Sequence, residues 1–104
     1  MRSMLPNMQD KSYTLSPQAD IDLEEIWFYT FQNWSLAQAD SYHRDLVVTF
    51  EGLASGTKRG QGVDVRPDYL KCPVGSHMIY FRDRGDQIEV IRVLHQKQDA
   101  TLNL

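Results

Sequence analysis

A single cysteine, Cys72, stands in this chain of 104 residues. That count excludes an intramolecular disulfide and any cysteine-based metal cluster. An unpaired thiol also suits a reducing cytoplasm. No apolar run approaches the roughly 20 residues needed to cross a bilayer, so no membrane association is expected. The opening segment MRSMLPNMQD lacks the apolar centre of a secretory leader. No two histidines stand at metal-binding spacing with a third ligand. The Gly60-Gln61-Gly62 triplet follows no strand and completes no phosphate loop. A basic excess is missing too: the formal charge is −3, too acidic for a general nucleic-acid binder. Neither a cofactor nor a metal is expected.

What is present can build one modest core. The hydrophobic fraction is 41%, with two Trp, five Tyr and four Phe. A domain of this size buries roughly 65% of the surface its unfolded chain exposes. Residues 1–11 are expected to form a loose segment, and 12–104 a single domain. Charge is divided unevenly. From Ser16 to Gly56 seven acids face Arg44 alone, a net −6, whereas from Thr57 to Lys97 eight bases face five acids, a net +3. The folded domain should therefore be electrically two-sided.

Tyr13–Leu15 has strand character. Ser16-Pro17 then opens a helix, because Ser accepts from orphan backbone N–H groups and Pro suits the first helical position. The helix should run from Pro17 to about Asn33, with an apolar stripe of Ala19, Leu23, Ile26, Trp27, Phe31 and Trp34. Ile21 and Phe28 fall on its other side, where cover by another element is expected ahead of exposure to a partner. Ser35 caps a second helix, about Leu36 to Ser55, whose stripe includes Ala39, Tyr42, His43, Leu46, Val47, Phe50, Leu53 and Ala54. Gly56 ends it. The short link Asn33-Trp34-Ser35 forces an antiparallel helix hairpin. Residues 57–69 read as a loop, rich in Gly and Pro. Tyr69–Cys72, Ser76–Arg82 and Gln87–His95 read as three strands of an antiparallel meander, with Asp83-Arg84-Gly85-Asp86 as the last hairpin turn. A short helical turn is expected within Gln96–Asn103. The class is α+β.

Three stretches carry a resemblance: LSPQADIDLEEIWFYT, VRPDYLKCPVGSHMIYFR and IEVIRVLHQKQD. In this order they resemble the ParE branch of the ParE/RelE toxin superfamily of bacterial type II toxin–antitoxin pairs, over most of residues 13–99. VGSH and IYFR followed by RVLHQ is the more specific part. The resemblance implies a toxin that poisons DNA gyrase by binding it and causes growth arrest. It implies a ParD-like antitoxin as neutralising partner, in a toxin–antitoxin hetero-oligomer, and no sequence-specific contact with nucleic acid. The related RelE branch consists of ribosome-dependent mRNA nucleases, which is the competing expectation. A copy that has lost toxicity and only partners an antitoxin is a third.

Cutting RNA needs a base, cations for the phosphate charge and an acid for the leaving group. In the RelE branch an Arg braces the phosphate from the strand before the last, and the equivalent place here is Met78. At the end of the last strand stand His95 and Gln96, of which only His95 carries an ionisable side chain. No residue is therefore assigned a catalytic role. Strict alternation along the last strand puts Ile88, Val90, Arg92 and Leu94 on one face and Glu89, Ile91, Val93 and His95 on the other. Arg82, Arg84, Arg92 and Lys97 are read as a cluster at the last hairpin and its exit. Candidate target-binding residues are Arg92, His95, Gln96, Lys97, Gln98 and Asp99. Candidate antitoxin-binding residues are Ile21, Phe28, Trp34, Arg82 and Arg84, with Tyr13–Leu15 as an edge for an extended segment.

Overall fold

The computed structural model describes residues 11–104. The loose segment expected over residues 1–11 lies outside the described residues except for Lys11. That residue is tied down: its N–H donates to the Ala54 carbonyl, and its ammonium pairs with Asp83 at 2.7 Å.

Strand β1 (Ser12–Leu15) leads into helix α1 (Pro17–Asn33) and helix α2 (Leu36–Ser55). Strands β2 (Gln61–Gly62), β3 (Leu70–Val74), β4 (His77–Asp83) and β5 (Gln87–His95) follow, then the short helix α3 (Ala100–Asn103). The caps act as their chemistry requires. Ser16 accepts from the Ala19 N–H and Ser35 from the Gln38 N–H. Gly56 closes α2 at φ 87°, a conformation that favours glycine.

The sheet has five strands in the order β1-β5-β4-β3-β2. The meander β3-β4-β5 is antiparallel, and β1 lies parallel to β5 at its outer side. The fifth strand was not expected. Gln61–Gly62 pairs with Lys71 and Leu70 inside the segment read as pure loop. Two residues with two glycines around them carry no alternation, so no periodicity announces them.

Helices α1 and α2 cover one face of the sheet. The main core gathers Leu23, Leu46, Phe50, Ile79, Val90 and Val93 among others. A second cluster lies on the opposite face, where Val63, Tyr69, Tyr80 and Leu94 are buried beneath the 57–69 loop and the C-terminal residues Ala100 and Leu104. The strict alternation expected for β5 fails at Ile91. Tyr80 pairs with Arg92 and the next residue, Phe81, with Val90, so Ile91 is an extra residue in the ladder. Such a bulge flips the parity of the strand beyond it. Val93 consequently joins Ile88 and Val90 in the main core, while Leu94 joins Ile91 on the other face.

The α1 stripe is also narrower than its periodicity implied. Ala19 and Leu23 are buried, but Phe31 and Trp34 are exposed. Ile21 and Phe28 are exposed rather than covered, because no described element packs over that side of α1. His43, placed in the α2 stripe, is exposed as well.

Candidate functional site

Two regions bring chemistry together: a cleft at the β4–β5 end beside the helix hairpin, and a groove between α1, α2 and β1. The cleft rests on register. His77 of β4 pairs with His95 of β5, so both imidazoles stand on the helix-covered face. Their ring centroids are 5.3 Å apart, edge to face. Tyr42 reaches down from α2, with its hydroxyl 2.7 Å from His77 Nδ1. The same hydroxyl accepts from the Ser76 N–H at 3.1 Å and donates to the Val74 carbonyl at 3.1 Å.

A phenol has one proton, so this network is fully satisfied only when His77 Nδ1–H donates to Tyr42. His77 Nε2 then carries a free lone pair. His95 has the opposite arrangement: its Nδ1 accepts from the Lys97 N–H at 3.1 Å, so its proton lies on Nε2. The cleft thus presents one acceptor and one donor side by side. Burial, then the neighbouring His95, hold His77 below the ordinary imidazole value, with Asp22 opposing them weakly. Gly75 lets Tyr42 approach: its φ is 53°, and a Cβ there would meet the Tyr42 ring at 2.6 Å. The remaining walls are Tyr29, Thr30, Trp34, Gln38 and Ser76. Among the described residues no lysine or arginine lines this cleft.

Of the candidate target-binding residues, His95 to Asp99 form the end of β5 and the turn after it while Arg92 lies inside the strand, and they differ in freedom. Arg92 is engaged: Nε and Nη2 donate to the two Asp22 oxygens at 2.8 and 3.0 Å, and Nη1 donates to the Asn103 carbonyl at 2.9 Å. Asp22 is buried and also accepts from the Val93 N–H at 2.9 Å. This carboxylate raises the Arg92 pKa further through its hydrogen bonds. Arg92 therefore joins α1, β5 and α3, and offers no free guanidinium. Gln96 pins the β3–β4 turn by donating to the Gly75 and His77 carbonyls. Gln98 accepts from the His95 N–H. Asp99 caps α3 by accepting from Thr101, whose hydroxyl and N–H hold its carboxyl below the usual value. Only Lys97 projects without a side-chain partner among the described residues.

The expected cluster of four cations is not formed. Arg82 and Arg84 stand at the β4–β5 turn, while Arg92 and Lys97 belong to the other end of β5. Nine extended residues separate the ends by about 27 Å. Asp22 decides Arg92's role, although by its place in the first turns of α1 it is simply a negative charge near a helix start. Nothing local in the sequence links it to a residue 70 positions away.

The groove is apolar with an acidic rim. Leu23, Trp27, Phe28, Val47 and Phe50 line it, and Asp20 and Glu24 flank it. Its volume is about 600 Å³. Trp27 is oriented by its indole N–H, which donates to Asp40 of α2 at 3.0 Å, and stacks on Phe31. Of the three apolar antitoxin candidates only Phe28, 53% exposed, lines this groove. Trp34, 74% exposed, stands at the hairpin tip beside the histidine cleft, and Ile21 lines neither. Arg82 and Arg84 sit at the far turn, paired at 3.7 Å with Asp68 and at 3.1 Å with Glu89.

With this geometry in place, the relatives can be compared. A family model described as the ParE toxin of the type II toxin–antitoxin system parDE matches residues 13–100. The chain belongs to the ParE toxin family. It is 42% identical over 94 residues to Toxin ParE1 of Mycobacterium tuberculosis, covering 88% of this chain and 96% of that one. Toxin ParE1 of Caulobacter vibrioides is 41% identical over 95 residues, covering 90% and 98%. Among solved structures, the chromosomal ParDE toxin–antitoxin system of P. aeruginosa superposes with a TM-score of 0.73 at 17% identity, over 86% of this chain and 98% of that one. A chain of the RelBE2 toxin–antitoxin complex of M. tuberculosis gives 0.56 at 19%, over 84% and 99%. These structures share the fold of this ParE-family toxin.

Proposed function

We propose that this ParE-family toxin inhibits DNA gyrase by direct binding in the cytoplasm, without catalysing a reaction of its own. A ParD-like antitoxin neutralises it in a hetero-oligomeric complex. The carrying observation is the lining of the His95 cleft. Among the described residues it holds two imidazoles, one offering a lone pair and one an N–H, but no cation to hold and neutralise a scissile phosphate. Met78, where a phosphate-bracing Arg would be needed, packs instead against the second apolar cluster. The gyrase surface is the turn after β5, His95 through Asp99, with Arg92 as the clamp that holds it. The test is a supercoiling assay with purified gyrase and toxin. Supercoiling is inhibited and cleaved DNA accumulates; unchanged supercoiling with no cleavage complex would overturn the reading.

One observation favours a ribosome-dependent nuclease as second reading: His77 and His95 present complementary roles, one lone pair and one N–H, at 5.3 Å between rings. It requires mRNA cleavage in translating ribosomes that is lost in both His77→Ala and His95→Ala. A chain that leaves growth unchanged on induction is instead a non-toxic partner of an antitoxin.

The groove fits an amphipathic antitoxin helix with apolar anchors and basic flanks, since its floor is apolar and its rim carries Asp20 and Glu24. Among the described residues β1 forms an edge of the sheet, which suits pairing with an extended segment. Phe28→Asp abolishes co-purification with the antitoxin while leaving the melting temperature unchanged; retained co-purification would remove the groove from the interface.

A further inference from the structure

The open face of the sheet carries hydrogen-bond donors that neither region above uses. Lys71 of β3 pairs with Tyr80 of β4, so both side chains stand on this face. Arg82, two residues further along β4, shares it and lies diagonal to Lys71, about 7–8 Å away by strand geometry. The 57–69 loop adds Arg66. Its turn is shaped by two backbone bonds, Arg66 N–H to the Val63 carbonyl and Tyr69 N–H to the Arg66 carbonyl. This folds Arg66 over the Tyr69 ring, 4.3 Å from the centroid, with Nη2 donating to the Tyr69 hydroxyl at 2.9 Å. The Arg82 guanidinium is 5.9 Å from the centroid of the same ring. One buried tyrosine therefore positions two guanidinium groups.

Most of their donors are unspent. Each guanidinium has five N–H groups. Arg66 uses one of them on Tyr69. Among the described residues Arg82 has only Asp68 at 3.7 Å, beyond hydrogen-bond distance. Among the described residues Lys71 has no ion-pair partner and the Tyr80 hydroxyl has no hydrogen bond. The acids of the elements that meet on this face are Asp64 and Asp68 of the loop, both exposed, Glu89, which Arg84 already takes, and Asp99, which caps α3.

We propose that this face binds the phosphate backbone of duplex DNA without regard to sequence, through Arg66, Lys71, Arg82 and the Tyr80 hydroxyl. Phosphate contacts need donors and positive charge, and no apolar anchor. A polypeptide partner would need exposed apolar anchors as well, and in the cluster beneath this face Val63, Tyr69, Tyr80 and Leu94 are already buried, which leaves Val65 of the loop and Leu102 of α3 as the exposed apolar side chains of its covering elements. The acidic helices lie on the other side of the sheet, so the molecule's own field turns the open face toward a polyanion. The total charge of −3 conceals this patch, because it averages the net −6 of residues 16–56 with the net +3 of residues 57–97.

The proposal goes beyond gyrase inhibition, and its test contains no gyrase, so the two can fail separately. The full chain is titrated into a fluorescently labelled short duplex at several salt concentrations, and anisotropy is read. Binding is expected at low ionic strength with a dissociation constant of roughly 10⁻⁴ to 10⁻⁵ M and a log–log salt slope near −2.7, about 0.9 for each of three contacts. The Arg66→Gln/Arg82→Gln double variant weakens binding roughly tenfold and lowers the slope by about two; Lys71→Gln lowers it by about one. Arg44→Gln, on the acidic helix side, leaves both unchanged. Should the loop variant unfold on thermal melting, Lys71→Gln alone carries the test. No binding at low salt, or an equal loss with Arg44→Gln, overturns the proposal. Tighter binding of poly-glutamate than of DNA overturns it too, in favour of an acidic polypeptide.

Discussion

The two faces of this sheet are built from the same strands, residue by alternate residue, yet they solve different problems. On the helix-covered face Leu46, Phe50, Ile79 and Val90 are fully enclosed by two long helices. On the open face a smaller cluster around Tyr69, Tyr80 and Leu94 is closed by a loop and four residues of helix, with cations at its margin. The covered face supplies the stability of the domain. The open face, held under light cover, keeps its polar groups available. Size of cover, more than composition, separates scaffold from surface here.

The largest test of this contrast is Phe50→Ala, which should cost about 4 kcal/mol in denaturant unfolding, because two helices and the sheet prevent the cavity from closing. Leu94→Ala is equally buried but should cost about 2 kcal/mol, since the loop and α3 can settle into the gap. Equal costs would erase the distinction between the faces.

Next is Asp22→Ala, which removes the carboxylate joining α1 to β5. It strands the Arg92 guanidinium and the Val93 N–H together, at about 3 kcal/mol. Thermal melting should fall by roughly 15 °C. A drop of only a degree or two would mean that Arg92 and its neighbours hold their places without the clamp.

A smaller effect concerns pH. His77 is held below its ordinary value chiefly by burial. The unfolded chain therefore binds the proton first as pH falls past about 6.5. The stabilisation is complete above that pH and is lost as pH falls toward the folded value. His77→Gln keeps a hydrogen-bonding group against Tyr42 but cannot titrate. Its melting temperature should change less than the wild type's between about pH 7.5 and 5.5; identical changes would assign the pH response elsewhere. The smallest effect is Arg84→Ala at the exposed hairpin turn, within about 0.5 kcal/mol, as measured by chemical denaturation.

Much of the fold was legible. Ser16-Pro17 and Ser35 announced both helix starts, Gly56 the end of α2, and Gly85 the last turn, because each is a local backbone requirement. The β5 span was readable from its length and apolar content. Its facing was not, because a bulge depends on how β4 pairs with it. The sites were less legible still. His77 looked like a residue after a turn until register set it beside His95 and folding brought Tyr42 against it. Arg66 and Arg82 were separate charges until one ring gathered them.

By itself the sequence determined where the two long helices begin and end, the α+β class and the uneven division of charge along the chain, since capping, periodicity and charge act over a few neighbouring residues. Only the tertiary structure decided which charges are spent and which are free. Arg92 is consumed by a carboxylate 70 residues away, whereas Arg82 keeps its donors. Ion pairing depends on distance in space, and chain separation carries no information about that distance until the strands have found their register.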